Sequence, residues 1–361
     1  MNEKRIYYFD IAKCIASYLI CLSHFGTLDT HILQSQDVST YFNYFLLGIS
    51  SIGVPVFLMV NGAFVLNKHY SFHKIFYRAK SYVMLYLVWG VLTLLLLAPL
   101  YNDHYSIREF LSAVFNRKAE RTSHLWFLMA MTYIYLLFPF IKAVYDKPEK
   151  VYTRYLVVLL FLCTFGYVLV NEVVRTAGYF QNSVTLKQTD IKYLFLFNPF
   201  DQWYGYTMLY FICGGMIAKT YSHLRYKTSM LLVLIFISMI VLFAFALLKT
   251  RIKGAEYDAV WGGHDSIMTL VMSISVFLLC AKIKLKNQKV IDATRLVGVN
   301  TLGIYFIHVP VGHWLSNYYK SMQVSQFLIV DMLFALILMM TSLFISVQLQ
   351  NIPFLKRLVK I

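Results

Sequence analysis

Apolar runs of roughly 18–25 residues, long enough to cross about 30 Å of hydrocarbon as helix, recur about ten times along this chain. They lie near 7–26, 42–66, 76–100, 124–145, 152–171, 202–220, 228–248, 264–282, 300–319 and 324–349. Backbone groups in lipid must be satisfied within the segment, so such runs must be helices. The expected fold is all-α: a polytopic integral membrane protein of about ten transmembrane helices. An even number of crossings places both termini on one side. Composition agrees, since 59% of the 361 residues are hydrophobic and only 14% are charged, far from a soluble domain. Neither a fixed-period repeat nor a low-complexity tract is visible, so residues 1–361 are read as one integral domain with no appended soluble domain.

Basic residues resist translocation and collect in cytoplasmic loops. With the N-terminus inside, the inner segments hold most of the 33 Lys and Arg residues, among them Lys74, Arg78 and Lys80. Both termini are therefore expected in the cytoplasm. The net charge of +16 then reports topology and a basic inner face suited to anionic lipid head groups or a phosphorylated cofactor; it gives no reason to invoke nucleic acid. The long outer segments 27–41, 101–123, 171–201 and 249–263 read as a cover over a site opening outward. Met1–Asp10 carries Lys4 and Arg5 before an apolar run, yet no small-residue cleavage site follows, so the run is expected to remain as the first helix. The five cysteines all fall in apolar runs and are read as packing residues.

The first run, FDIAKCIASYLICLSH from Phe9 to His24, contains Asp10, Lys13, Ser17 and His24. At 100° per residue, the eleven steps from Lys13 to His24 make three turns plus about 20°, so both side chains share a face about 16 Å apart. Asp10 and Ser17 fall near the same line. Ionisable groups in a membrane are costly and usually face a bundle interior, which makes the stripe a candidate site. The alternative is that Asp10 and Lys13 snorkel and pair at the interface, leaving His24 at the outer boundary. Histidine is the side chain best matched to taking a proton near neutral pH. A lysine one helix-half away would suit a phosphate, and the separation is comparable with the reach of a pantetheine arm.

These residues resemble the membrane acyltransferase-3 family of bacterial multipass acyltransferases. The family's first helix typically carries an aspartate, an arginine and, about three turns later, the histidine essential for transfer, as do Asp10, Lys13 and His24, with lysine in the arginine's place. SIGVPVFLMVNGAFVL from Ser51 to Leu66 is similar to the family's second-helix pattern, with Asn61 replacing the serine before Gly62. SHLWFL (Ser123–Leu128) and NTLGIYFIHVPV (Asn300–Val311) resemble later family motifs. Where the family usually shows Arg-x-x-Arg, this chain has Arg78-Ala79-Lys80-Ser81. The positive charge is kept, but lysine lacks arginine's bidentate fork.

The resemblance implies an O-acyltransferase, most often an acetyltransferase, in the bacterial cytoplasmic membrane. Acetyl-CoA is the implied acyl donor, and a hydroxyl of a cell-surface or lipid-linked glycan the acceptor. It implies His24 as the catalytic base, Asp10 and Lys13 as its charged partners, and Lys13, Lys74, Arg78 and Lys80 as groups for the cofactor phosphates. For the acceptor, the candidates are His124, Trp126, Asp201, Trp203 and His308. Trp126 also fits an interfacial anchor, and His308 a satisfied core histidine. His313 and Trp314 are read as interface residues, and Asp331 as an acid with no partner to name. Pro55 and Pro310 are expected to kink their helices, and the pair Gly214-Gly215 reads as close helix packing. Metal-ligand spacing is absent, so no metal is expected. A proton-coupled transporter or flippase of a sugar or lipid-linked glycan is the alternative, although the paired interrupted helices such a protein should show are not visible.

Overall fold

The computed structural model describes residues 6–25, 31–35, 37–115, 120–185, 191, 205–221, 226–260, 262–321 and 328–360. Among them all regular structure is helical. In chain order the helices are α1 (Tyr7–Phe25), α2 (Val38–Leu47), α3 (Gly53–Leu66), α4 (Phe72–Tyr101), α5 (Ile107–Phe115), α6 (Trp126–Tyr145), α7 (Lys150–Phe161), α8 (Tyr167–Phe180), α9 (Gly205–Thr220), α10 (Thr228–Lys253), α11 (Ile267–Lys282), α12 (Gln288–Ser321), α13 (Leu328–Gln350) and the short α14 (Lys356–Val359).

Seven helical spans among the described residues are long and apolar enough to cross a membrane: Val38–Leu66, Phe72–Tyr101, Arg121–Tyr145, Lys150–Phe180, Thr228–Lys253, Gln288–Tyr319 and Ile329–Gln350. Seven of the ten expected segments correspond to these. The remaining three are α1, α9 and α11. Asp10, Lys13 and His24 lower the hydropathy of α1, whereas α9 and α11 have only 16 residues each, about 24 Å of helix at 1.5 Å per residue.

Two of the expected single helices are interrupted. Residues 42–66 divide at a 3₁₀ turn, Gly48–Ile52, so Pro55 lies in the first turn of α3, where its missing N–H breaks no helical bond. The kink expected at Pro55 is therefore a helix start. Residues 150–180 contain a π-helical turn at Leu162–Gly166, where Thr164 Oγ1 donates to Leu160 O at 2.6 Å. Pro310 does lie inside α12, as expected. Local caps set other ends: Ser71 accepts from Lys74 N before α4, and Asn102 closes it in the left-handed region at φ 52°.

The chain forms two compact units, one from Met1–Leu19, Asp29–Lys68 and Val144–Lys284, the other from Ile20–Leu28, His69–Ala143 and Leu285–Ile361. Helix α1 thus contributes its first thirteen residues to one and its last six to the other.

The first unit is built around α3 and α9, held together by glycine. A Cβ on Gly62 would stand 1.7 Å from Phe211 O, and one on Gly214 2.0 Å from Met59 O. Only hydrogen at those positions allows the backbones to meet, which is the packing expected of Gly214 and Gly215. The end of this pair is closed by polar groups. Asn67 Nδ2 donates to Ala63 O and Gly215 O, and Tyr145 OH donates to Gly215 O at 2.8 Å.

In the second unit, Trp89 of α4 stacks on Phe306 of α12 at 4.8 Å between ring centroids, 5° from parallel. Its indole N–H donates to Leu358 O. Gly303 lets α12 approach α13, since a Cβ there would lie 1.9 Å from Ser346 Oγ. Asp331, for which the sequence offers no partner, accepts a buried hydrogen bond from Tyr319 OH at 2.7 Å.

Candidate active site

Helix α1 is unbroken from Tyr7 to Phe25, so the stripe expected on it is one continuous helical face. Asp10 is buried at 2% exposure. Lys13 is half-buried, its ammonium 4.9 Å from the centre of the Phe64 ring, close enough for a cation–π attraction. His24, half-buried, lies three turns on, in the second unit.

Around His24 the second unit gathers imidazoles from separate parts of the sequence. The His308 ring on α12 stands 5.1 Å from the His24 ring, edge-on at 64°. The His124 ring, from the 3₁₀ turn Glu120–Leu125 that precedes α6, stands 6.1 Å from that of His308 at 86°. His308 is fully buried, His124 is 4% exposed, and the Nε2 atom of each is buried without a hydrogen bond among the described residues. Buried polar atoms are nearly always bonded, so two unbonded ring nitrogens near one another make this cluster a candidate site. Among the described residues no group of three or more His, Cys, Asp or Glu side chains is placed to hold a metal ion.

The surrounding wall is aromatic and tied to the backbone. Tyr305, one helical turn before His308 and 6.1 Å from it ring to ring, donates through its hydroxyl to the backbone carbonyl of His124. This contact joins α12 to the turn carrying His124. Phe25 sits against His308 at 6.5 Å and His313 at 5.2 Å, both edge-on. Gly312 makes room for it, because a Cβ there would lie 2.4 Å from the Phe25 ring. His313 is half-buried, and its Nδ1 shares a 2.6 Å hydrogen bond with Tyr101 OH. The Arg121 guanidinium lies over Tyr101, 3.5 Å from the ring centre, with Asp103 3.6 Å from its Nε. Trp314 is exposed, its indole N–H donating to Leu96 O.

The sequence candidates therefore separate. His24, His124 and His308 come together. Trp126 begins α6, half-buried beside Phe127. Lys74 and Lys80 are exposed on α4, whereas Arg78 is half-buried, donates to Tyr135 OH at 3.1 Å and stacks over Tyr70. Asp201 and Trp203 lie outside the described residues. Tyr305, Tyr101 and Arg121 are additions of the structure. Tyr305 had a readable signal, because its i, i+3 spacing to His308 puts both on one helical face. Tyr101 and Arg121 had none.

A family profile described as an acyltransferase domain matches residues 6–349. No curated protein and no solved structure matches the chain. The profile covers nearly the whole length, from the start of α1 to the end of α13, and includes every residue of the histidine cluster; the chain belongs to the acyltransferase-3 family and is a membrane acyltransferase.

Proposed function

We propose that this protein is an O-acyltransferase of the cell membrane that moves an acyl group, most simply acetyl, from cytoplasmic acyl-CoA to a hydroxyl of a cell-surface or lipid-linked glycan. His24 is the general base. Its imidazole takes the proton of the acceptor hydroxyl as that oxygen attacks the thioester carbonyl carbon. The C–S bond then breaks, and the leaving thiolate receives the proton back from His24, so acid and base duties balance on one ring. Lys13 and Arg78 are assigned to negative charge on the donor, with Lys74 and Lys80 as exposed partners for its phosphates. Asp10 keeps Lys13 charged and oriented. His124 and Trp126 belong to the acceptor side, and His308 stands beside His24.

The observation that carries this reading is the pair of orphaned nitrogens, His124 Nε2 and His308 Nε2, beside the family's histidine. His124 Nε2 leaves hydrogen-bonding capacity open where a hydroxyl must be received, and His308 stands against His24, inside a chain whose family transfers acyl groups. General-base assistance is worth roughly 10²–10⁴-fold. Purified protein in detergent, given labelled acetyl-CoA without a membrane potential, is expected to cleave the thioester and to lose that activity by this factor in His24→Ala. A transporter would do neither, and full activity of folded His24→Ala would remove His24 from the role of base. Mass spectrometry of surface glycans from cells with and without the protein would identify the acceptor.

A further inference from the structure

We infer that His308 is the positioning residue of this site: its Nε2 receives an N–H of His24, fixing which His24 nitrogen faces the acceptor hydroxyl and stabilising the charge that forms there. This rests on the general-base role proposed for His24.

The tautomer of His308 follows from its partners. Its Nδ1 lies 2.7 Å from Tyr305 O and 3.2 Å from Ile304 O. Carbonyl oxygens only accept, so Nδ1 must carry the hydrogen, and in the neutral ring the lone pair is then on Nε2. Both carbonyls belong to the preceding turn of the same helix, so α12 itself holds the ring in this state. Nε2 is buried and makes no hydrogen bond among the described residues. The fold has thus prepared an acceptor and left it open.

The neighbours decide what that acceptor is for. Phe25 has no polar hydrogen to give, and the Tyr305 hydroxyl is committed to the His124 carbonyl. The His124 ring is 6.1 Å away, and the His24 ring only 5.1 Å, presented edge to face. Once the radius of each imidazole is taken off, the shorter separation leaves roughly one N–H···N bond of about 3 Å between nitrogens. In that bond a His24 N–H donates and His308 Nε2 accepts. With one His24 nitrogen donating to His308, the other carries the lone pair of the neutral ring and faces the acceptor. As the hydroxyl O–H breaks and the new N–H forms, His24 becomes an imidazolium whose other N–H is already held. His308 gains no proton. Its neutral ring does for His24 what a buried carboxylate does for the histidine of a Ser-His-Asp triad, without a second full charge in the membrane interior.

Among the described residues, the titratable and charged groups gathered near His24 are His308 and His313 on α12, His124 on the turn before α6, Tyr101 on α4 through its bond to His313, and Arg121 stacked on Tyr101. Asp10 and Lys13 share its own helix. Among these, His308 presents a fixed acceptor left open, its ring 5.1 Å from that of His24, so its removal is expected to move the acid limb of the reaction.

The test uses the full chain in detergent with labelled acetyl-CoA, water serving as the acceptor, and reads thioester cleavage from about pH 5 to about pH 9. His308→Phe keeps a flat ring but has no acceptor. Its kcat is expected to fall about 10–100-fold with the KM for acetyl-CoA unchanged, and the acid limb of kcat to move down by about one pH unit, because the imidazolium has lost its partner. His308→Gln, whose carbonyl oxygen can accept, is expected to return kcat to within about tenfold of the parent and to restore the limb. An unshifted limb in His308→Phe, with His24→Ala inactive, overturns the inference and leaves the base assignment standing. Activity in folded His24→Ala overturns the base assignment itself. Should His308→Phe fail to fold, nitrogen-15 NMR of histidine-labelled parent protein decides: His308 must read as protonated at Nδ1 and bare at Nε2, and the opposite tautomer refutes the inference.

Discussion

The glycine junction of α3 and α9 and the histidine cluster at the end of α1 are both buried meeting points of helices, and they are finished in opposite ways. At the first, backbone touches backbone through Gly62, Gly214 and Gly215, and the polar groups that close its end, Asn67 and Tyr145, are bonded. At the second, aromatic rings pack closely but the Nε2 atoms of His124 and His308 are left without partners. Leaving a buried polar atom unsatisfied costs about 1–3 kcal/mol. The contrast separates a junction closed by its own bonds from one that leaves hydrogen-bonding capacity open.

Substitution at the glycine junction should have the largest effect, and on folding. Gly62→Val places carbon where Phe211 O stands, and since that obstacle is backbone, no rotamer relieves it. Overpacking usually costs about 1–3 kcal/mol when side chains can shift; here the backbones must part, so little monodisperse protein is expected by size-exclusion chromatography in detergent. His24→Ala should invert the pattern, losing roughly 10²–10⁴-fold in transfer with the melting temperature of the parent. If Gly62→Val melted like the parent, or His24→Ala melted far below it, the two junctions would not differ in kind.

Tyr305→Phe sharpens the comparison at an intermediate size. The hydroxyl it removes fastens α12 to the turn bearing His124, and a typical hydrogen bond contributes about 1 kcal/mol net. The variant is expected to fold, to melt slightly lower, and to lose a few-fold in turnover because His124 and His308 are no longer held in register. An unchanged turnover would show that His124 has no part in the reaction.

How much of this could be read beforehand depends on how local the signal is. Hydropathy over a window of about twenty residues is local, so an all-helical membrane chain was legible, as was His24, a polar residue in an apolar run. The breaks at Gly48–Ile52 and Leu162–Gly166 were not, because a hydrophobic run continues in composition through a turn that contains no proline. Gly214-Gly215 read correctly as close packing, since few other roles suit paired glycines in an apolar helix. His308 was legible as a residue but not as a tautomer. Whether a helical imidazole bonds back to the preceding turn or points outward is decided by its rotamer, and that depends on Phe25, Tyr305 and His24, far away in sequence. The partner of His313 was hidden for the same reason: Tyr101, with which it shares a hydrogen bond, is 212 residues earlier.

The smallest effect is expected where a polar pair is exposed to water, at the start of α5. Ser106 and Glu109 form a capping box: Ser106 N and Oγ both donate to Glu109 Oε2, at 2.9 and 2.7 Å, and Ser106 Oγ accepts from Glu109 N at 3.3 Å. These bonds favour the carboxylate and hold Glu109 below its usual range. A carboxyl whose value is depressed by folding contributes above its unfolded value and loses that contribution as pH falls through the folded one. Ser106→Ala should therefore return Glu109 upward toward an ordinary carboxylate, read by carbon-13 NMR of the side chain, while thioester cleavage stays at the parent level across neutral pH. The histidine site and the capping box both rest on an imidazole or carboxyl held by hydrogen bonds, yet water can replace whatever the box loses. It cannot replace what is lost beside His308, which is why a change of one bond should be silent at α5 and visible in turnover at the end of α1.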